Sequence, residues 1–402
     1  MRNTSAPERA SIYFDNAATS FPKPPEVTQE MARFLAEDAA NPGRGGHRMA
    51  IRAERMIDDV RAKLTRLVNG SDPHRLIFTL NCTDALNMAI HGVLGDGGHA
   101  HVITSVLEHN SVSRPLQALA DSGRIELTRV GCDRDGFVDP DDIRRALRSD
   151  TRLVAMTHAS NVLGTVQDAA SVGAIVREHG ALFLLDAAQS AGIVPIDVEA
   201  MCVDLVAFPG HKALLGPTGT GALYVGERCP APAAIGTGFK PWREGGTGGD
   251  SSSPTQPPVL PYFLEGGTPN TVGIAGLDAA LDVLDRMGGA AILAHERRVL
   301  QTILARLVDD ARFTIYGPTD VARRVGALSI NISGLDPNDA AAILDDTFGI
   351  ATRPGLHCAP YCHKAIGSFP AGTLRISPGP FTTDDDVAAL LEALDQVADT
   401  GM

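Results

Sequence analysis

Two short segments carry the residues with the most chemistry to offer. An apolar run, Leu182-Phe183-Leu184-Leu185, ends on Asp186 and continues as Ala187-Ala188-Gln189. A second run, Leu205 to Phe208, leads through Pro209 and Gly210 to His211 and Lys212. A carboxylate and an amine at the ends of two buried strands form the pair that pyridoxal phosphate requires. The carboxylate faces the pyridine nitrogen and keeps it protonated, and the amine takes up the aldehyde. An Asp at a strand end alone commonly caps the next helix. The ordered pair, not either residue, carries the reading.

Other polar residues follow apolar runs in the same way. Thr83 and Asp84 stand between a strand expected over 76–80 and a helix expected over 85–94. A helix start offers free N–H groups to a phosphate, although either residue could simply be the N-cap. His109 follows a strand over 101–106 and could stack on a cofactor ring and pass protons, or lie on the surface. Asn161 follows a strand over 153–158 and could bond a cofactor or a substrate carboxylate, or shape a turn. Arg375, flanked by apolar residues in Thr373-Leu374-Arg375-Ile376-Ser377, needs a partner. A substrate carboxylate and a structural ion pair are both open.

Cys358 lies in Arg353-Pro354-Gly355-Leu356-His357-Cys358-Ala359-Pro360. Arg353 and His357 are cationic or potentially cationic neighbours that would favour a thiolate. Pro354-Gly355 predicts a turn, which would expose the sulfur; a buried, inert cysteine is the alternative. His357, Cys358, Cys362 and His363 superficially offer two His and two Cys. Structural zinc sites pair such ligands with a distant second pair. Ligands this close in sequence cannot easily surround one ion, so no metal is expected.

These residues need a scaffold. Between Arg75 and Val225 strand and helix patterns alternate, with further strands expected over 125–130, 182–185, 205–208 and 222–225 and a helix over 141–147. Several strands are continuous apolar runs, as in a mainly parallel sheet covered on both faces by helices. Ligands in such α/β folds sit at the carboxyl ends of the strands. The Gly-, Ser- and Pro-rich segment 236–261, holding the only tryptophan, Trp242, reads as a linker or as an ordered loop beside the site. The second is favoured because Glu265-Gly266-Gly267-Thr268 follows directly. From Thr271 onward the pattern changes. Two helical stretches run to about residue 310, then strands over 313–316 and 327–332 and a helix over 338–348. Strands near 352 and over 373–377 and a last helix from 383 to about 397 complete a smaller α+β unit. Asp384, Asp385 and Asp386 suit the first turn of that last helix. The expected division is a large unit over 15–270 and a small one over 271–402, with 1–14 packing on the small one.

Composition excludes several function classes. The 402 residues carry a net charge of −13 without a basic cluster, which argues against nucleic acid. No apolar run approaches the roughly 20 residues of a membrane span, and residues 1–10 hold no signal-peptide core. A cytoplasmic location is expected. The six cysteines are scattered through a long chain, which makes a disulfide framework unlikely.

Taken together, Asp-x-x-Gln at 186–189, Gly-His-Lys at 210–212 and Arg-x-Gly-x-His-Cys-Ala at 353–359 resemble the class V aminotransferase group of fold-type I pyridoxal-phosphate enzymes. Within it the chain looks like the cysteine desulfurases with a short active-site cysteine loop, the branch that includes selenocysteine lyases. The match runs from Tyr13-Phe14-Asp15-Asn16-Ala17-Ala18-Thr19 to the final helix. The resemblance implies that Lys212 forms the Schiff base, that Asp186 pairs with the pyridine nitrogen, and that Gln189 meets the ring hydroxyl oxygen. His109 would stack on the ring. Thr83 and His211 would hold the phosphate, joined by Thr268 from the other subunit of a homodimer. Asn161 and Arg375 would hold the substrate carboxylate, with Arg353 near the cysteine loop. Cys358 would attack the sulfur of L-cysteine and pass it on to an acceptor protein or small thiol. The same scaffold also serves C–S and C–Se lyases, aminotransferases and epimerases, and an inactive binding protein could retain the fold. Two departures stand out. Pro209 occupies a position where the family usually has a phosphate-binding Ser, so one phosphate hydrogen bond is lost or replaced. Segment 242–261 differs from the better-known desulfurases and is expected to reshape the entrance.

Overall fold

The computed structural model describes residues 12–43, 46–95, 99–229, 239–247 and 252–400. Most of the expected N-terminal packing segment and part of the 236–261 stretch lie outside these residues. The described residues open with β1 (Ile12–Tyr13) and two helices, α1 (Pro25–Glu37) and α2 (Arg48–Leu67). Apolar residues of α2 recur at Ala50, Ala53, Ile57, Val60 and Leu64, one face of a 3.6-residue period, and all five are buried.

Strand and helix then alternate: β2 (Leu76–Thr79), α3 (Cys82–Leu94), β3 (Ala100–Ser105), α4 (Asn110–Asp121), β4 (Ile125–Val130), α5 (Pro140–Ala146), β5 (Thr151–Thr157), α6 (Ala169–His179), β6 (Leu182–Asp186), β7 (Leu205–Pro209) and β8 (Gly221–Val225). These strands form one seven-stranded sheet in the order β2-β8-β7-β6-β5-β3-β4. Only β8 runs against its neighbours, so the sheet is mainly parallel, as expected. Alternate residues face opposite cores. In β6, Phe183 and Leu185 enter one apolar cluster and Leu184 the other. Both faces are therefore dry, which explains the unbroken apolar runs.

The remaining elements are α7 (Thr271–Met287), α8 (Gly289–Leu307), β9 (Phe313–Tyr316), β10 (Leu328–Ile332), α9 (Pro337–Phe348), β11 (Ile350–Ala351), β12 (Arg353–Gly355), α10 (Pro360–Ala365), β13 (Thr373–Ile376) and α11 (Asp384–Thr400). An antiparallel sheet in the order β12-β13-β10-β9 packs its Leu328, Ile330, Leu374 and Ile376 against apolar faces of α8, α9 and α11. Phe14 joins this core, and β1 pairs in parallel with β11. Residues 12–14 are thus stitched to the last quarter of the chain. Helix α7 instead turns Ile274, Leu277, Leu281 and Leu284 toward the large sheet's core.

The expected turn at Pro354-Gly355 is a correction. Both residues lie in β12, where Pro354 pairs with Leu374 and Gly355 with Thr373. Strand β12 is an edge strand, which tolerates a residue with no N–H to donate. The loop that carries Cys358 begins only after it.

Candidate active site

Five sheet strands deliver one polar residue each to the same end of the sheet. Thr83 follows β2, His109 follows β3, Asn161 follows β5, Asp186 ends β6, and Lys212 follows β7. All five line a cavity of about 290 Å³, together with Gln189, His211, Arg353, His357, Cys358 and Arg375. Of the residues expected to act, Thr268 alone is absent from it.

The floor is buried. Asp186 accepts the Ala188 N–H at 2.9 Å, and Cys82 Sγ lies 3.5 Å from the same oxygen. Burial raises the Asp186 carboxyl above the ordinary carboxylate range, opposed by the Ala188 N–H and by Lys212. Burial also lowers the Lys212 ammonium, which favours the free amine. Gln189 donates from Nε2 to Ala17 O at 2.9 Å, fixing the turn after β6.

The neighbouring histidines are neutral. Burial, with Lys212 second, lowers His109 and His211 to about 4 each. His109 caps α4: its Nδ1 accepts the Ser111 N–H at 3.1 Å, which assigns the ring proton to Nε2. His109 is half-buried in the cavity wall. His211 Nδ1 lies 3.1 Å from Thr19 Oγ1. Helix α3 is capped by neither Thr83 nor Asp84 but by Asn81, whose Oδ1 accepts the Asp84 N–H at 2.9 Å. Thr83 is thereby left to meet Ser111 Oγ at 2.7 Å. Ser111, which sequence reasoning missed, adds a hydroxyl to the cavity on the side of Thr83.

The opposite wall comes from the loop between β12 and α10. His357 and Cys358 both adopt positive φ, 46° and 59°. Such backbone is costly for residues with side chains, and hydrogen bonds from the large sheet hold it. Asn110 N donates to Cys358 O at 2.7 Å, and Asn161 Nδ2 donates to His357 O at 2.7 Å. The Asn161 amide is thus engaged with the loop, a role beyond the substrate contact the sequence suggested. Cys358 is exposed and Cys362 is buried in the core. His357 is a second correction. It is buried, its Nε2 meets Thr373 Oγ1 at 3.0 Å, and burial followed by Arg375 lowers it to about 2. It supplies no positive charge to a thiolate; the cations on this side of the cavity are Arg353 and Arg375. Among the described residues no group of His, Cys, Asp and Glu is arranged to hold a metal ion.

Arg375 is nearly sealed in. Its Nη2 donates to Asp15 at 2.7 Å and its Nη1 to Asn161 O at 3.0 Å. Arg353 Nε donates to the same Asp15 carboxylate at 3.1 and 2.9 Å. The structure thus gives Arg375 the ion-pair partner, Asp15, while the side chain also borders the cavity.

Segment 242–261 does not border this cavity where it is described. Trp242 stacks on His91 near the far end of α3, with ring centroids 5.0 Å apart. Residues 244–247 and 253–257 line another cleft, of about 1090 Å³, together with Thr268.

The family model for class V aminotransferases matches residues 12–390. The chain belongs to that family. A probable cysteine desulfurase from Methanothermobacter thermautotrophicus is 36% identical over 399 residues, covering 98% of this chain and 96% of its own. Among solved structures, the apo cysteine desulfurase from Thermococcus onnurineus NA1 superposes with a TM-score of 0.89 at 31% identity, over 97% of this chain and 95% of that one. A cysteine desulfurase from Escherichia coli in an S-sulfonic acid form gives 0.86 at 29% identity, with the same coverage. The cavity's residues fit the cofactor of this family: a buried carboxylate, a half-buried amine and a helix start with adjacent hydroxyls stand around one space.

Proposed function

We propose that this member of the class V aminotransferase family is a pyridoxal-phosphate-dependent L-cysteine desulfurase. The observation that carries the reading is an exposed cysteine sharing one cavity with a half-buried lysine and a buried aspartate. Lys212, Asp186, Gln189, Thr83 and His211 would hold the cofactor, with Ser111 supplementing the phosphate contacts. When bound, pyridoxal phosphate supplies an electron sink that makes the substrate's Cα proton removable.

This chain's own groups do the rest. Asp186 would hold a proton at the cofactor's ring nitrogen. Lys212, poised as a free amine, takes the Cα proton. His109, with its proton on Nε2, would lie over the cofactor ring and would pass a proton onward. Arg375 and Asn161 orient the substrate carboxylate. The Cys358 thiolate attacks the substrate sulfur: an S–S bond forms, the Cβ–S bond breaks, and L-cysteine plus the Cys358 thiol become alanine plus a Cys358 persulfide. An exposed persulfide can pass its outer sulfur to a thiol on an acceptor protein or small molecule.

A homodimer with shared sites belongs to the same reading. Thr268 lies in the 1090 Å³ cleft rather than at its own chain's Lys212, which supports a reach to a partner's phosphate. Closed two-fold dimers are also the commonest oligomers. Among the described residues no helix is long and apolar enough to cross a membrane; a cytoplasmic location is our inference.

Purified protein supplied with pyridoxal phosphate, L-cysteine and a reductant is expected to yield alanine and sulfide in equal amounts. Cys358→Ala is expected to lose both. Full activity in that variant would replace this reading with a lyase that releases its product without a protein persulfide.

A further inference from the structure

The charge at the substrate end of the cavity is set by three side chains. Asp15 Oδ1 accepts from Arg375 Nη2 at 2.7 Å and from Arg353 Nε at 3.1 Å, while Oδ2 accepts from Arg353 Nε at 2.9 Å. Two cations share one anion, so the triad carries a net charge of about +1. His109, His211 and His357 are held neutral. Arg375 Nε is buried with no acceptor.

Asp15 cannot easily withdraw. Its neighbours are bonded on both sides: Phe14 N donates to Ala351 O at 2.8 Å, Ser377 N to Phe14 O at 2.7 Å, and Asn16 N to Ser377 O at 3.2 Å. The carboxylate is thus fixed by the bonded segment that follows β1, between arginines from β12 and β13. A group built this way does more than fill a gap, because it subtracts one charge from a pair that could otherwise bind two anions.

Building on the desulfurase reading, we propose that Asp15 is a specificity-determining residue. It trims the two arginines to the charge of one carboxylate, so that the cavity accepts amino acids with a single carboxylate and disfavours those with a second acidic group. A monoanion neutralises the triad. A dianion leaves one negative charge desolvated beside Asp15 without a cation of its own.

The test uses propionate and succinate, which differ by one carboxylate, on the cofactor-loaded protein at constant ionic strength. Binding is read from thermal shifts and, separately, from competition with L-cysteine turnover. In Asp15→Asn, succinate is expected to gain about fivefold in affinity relative to propionate, the upper end for a partly exposed ion pair. Asp15→Glu is expected to restore the original ratio. The double variant Asp15→Asn/Arg353→Gln, again at net +1, is expected to restore it too. Equal weakening of both ligands in Asp15→Asn would show a structural role only and overturn the proposal. Should Asp15→Asn not fold, Arg353→Gln serves alone: it leaves Asp15 and Arg375 at net zero and is expected to weaken propionate about fivefold. Unchanged propionate affinity would overturn the proposal. Shifted ratios in a protein that does not turn over L-cysteine would sink the desulfurase reading and leave Asp15's role standing.

Discussion

The strand ends that carry Asp186 and Lys212 and the loop that carries Cys358 face one cavity but are built on opposite terms. The strands that lead to them are packed among apolar side chains on both sheet faces, and burial moves the proton equilibria of Asp186 and Lys212. The loop is exposed at its sulfur and holds two consecutive residues at positive φ. Its shape depends on hydrogen bonds from elsewhere rather than on packing of Cys358 itself. The difference matches the tasks assigned above. Proton transfer at Cα needs water excluded. A sulfur that must leave the protein needs access to solvent. A single environment could not provide both.

Removing one wall's reactive group at a time separates their contributions. Lys212→Ala is expected to abolish reaction with any amino acid, by roughly 10²–10⁴-fold or more, the scale of a lost acid–base group. Borohydride treatment should then fix no cofactor to the protein. Cys358→Ala is expected to keep the cofactor and its spectral response to L-cysteine. Its alanine production should fall at least about a hundredfold, or about 2.7 kcal/mol in barrier. Loss of cofactor binding in Cys358→Ala would mean that the two walls are not separable. Cys362→Ala, which alters the core beneath the loop, should change the rate less than about twofold and cost about 1 kcal/mol of stability.

A smaller effect is expected where the walls touch. Asn161→Ala removes the hydrogen bond from Nδ2 to His357 O. Such a bond contributes about 0.5–1.5 kcal/mol, so amides at 356–359 should exchange with solvent roughly 2- to 13-fold faster while the sheet amides do not change. Unchanged exchange would show that the loop holds its positive φ without this latch.

The two walls were also unequally legible. Strand ends could be read because continuous apolar runs stop at a polar residue, and every sheet strand of the large unit was anticipated to within about two residues. The loop was misread where its meaning depends on tertiary contacts. Pro354-Gly355 carries turn chemistry, yet it lies in an edge strand because Leu374 and Thr373 are available to pair with it. His357 is titratable in isolation, and only its burial beneath Thr373 and Arg375 makes it neutral. Helices α1 and α2 went unread, although Ala50, Ala53, Ile57, Val60 and Leu64 show the helical period plainly. Asp15 bonds Arg353 and Arg375 across 338 and 360 residues of sequence, a distance over which a single sequence gives no signal. Ser111 was hidden for the opposite reason: a serine in the first turn of a helix is ordinary until Thr83 is found beside it.

The smallest expected effect concerns Glu108, which lies beneath the strand ends without touching the cavity. Its Oε1 accepts from Ser105 Oγ at 2.6 Å and from Thr157 N at 3.1 Å, and its Oε2 is buried with no partner. Burial, against the Ser105 hydrogen bond and with Asp186 adding to it, raises the carboxyl to about 8. The folded protein therefore keeps this proton at neutral pH, whereas an unfolded glutamate loses it near 4.5. Between those values the folded state binds the extra proton, so stability falls as pH rises. The contribution is fully present below pH 4.5 and is lost as pH passes about 8. Glu108→Gln keeps the acceptor oxygen and removes the titration. Its Tm should decline between pH 5 and pH 8.5 less steeply than the wild type's, by about 2–4 °C, with L-cysteine turnover at pH 7 unchanged within about twofold. Parallel Tm curves would mean that Glu108 is ionised beside Asp186. The buried floor would then carry a second negative charge, and its contrast with the exposed loop would rest on packing alone.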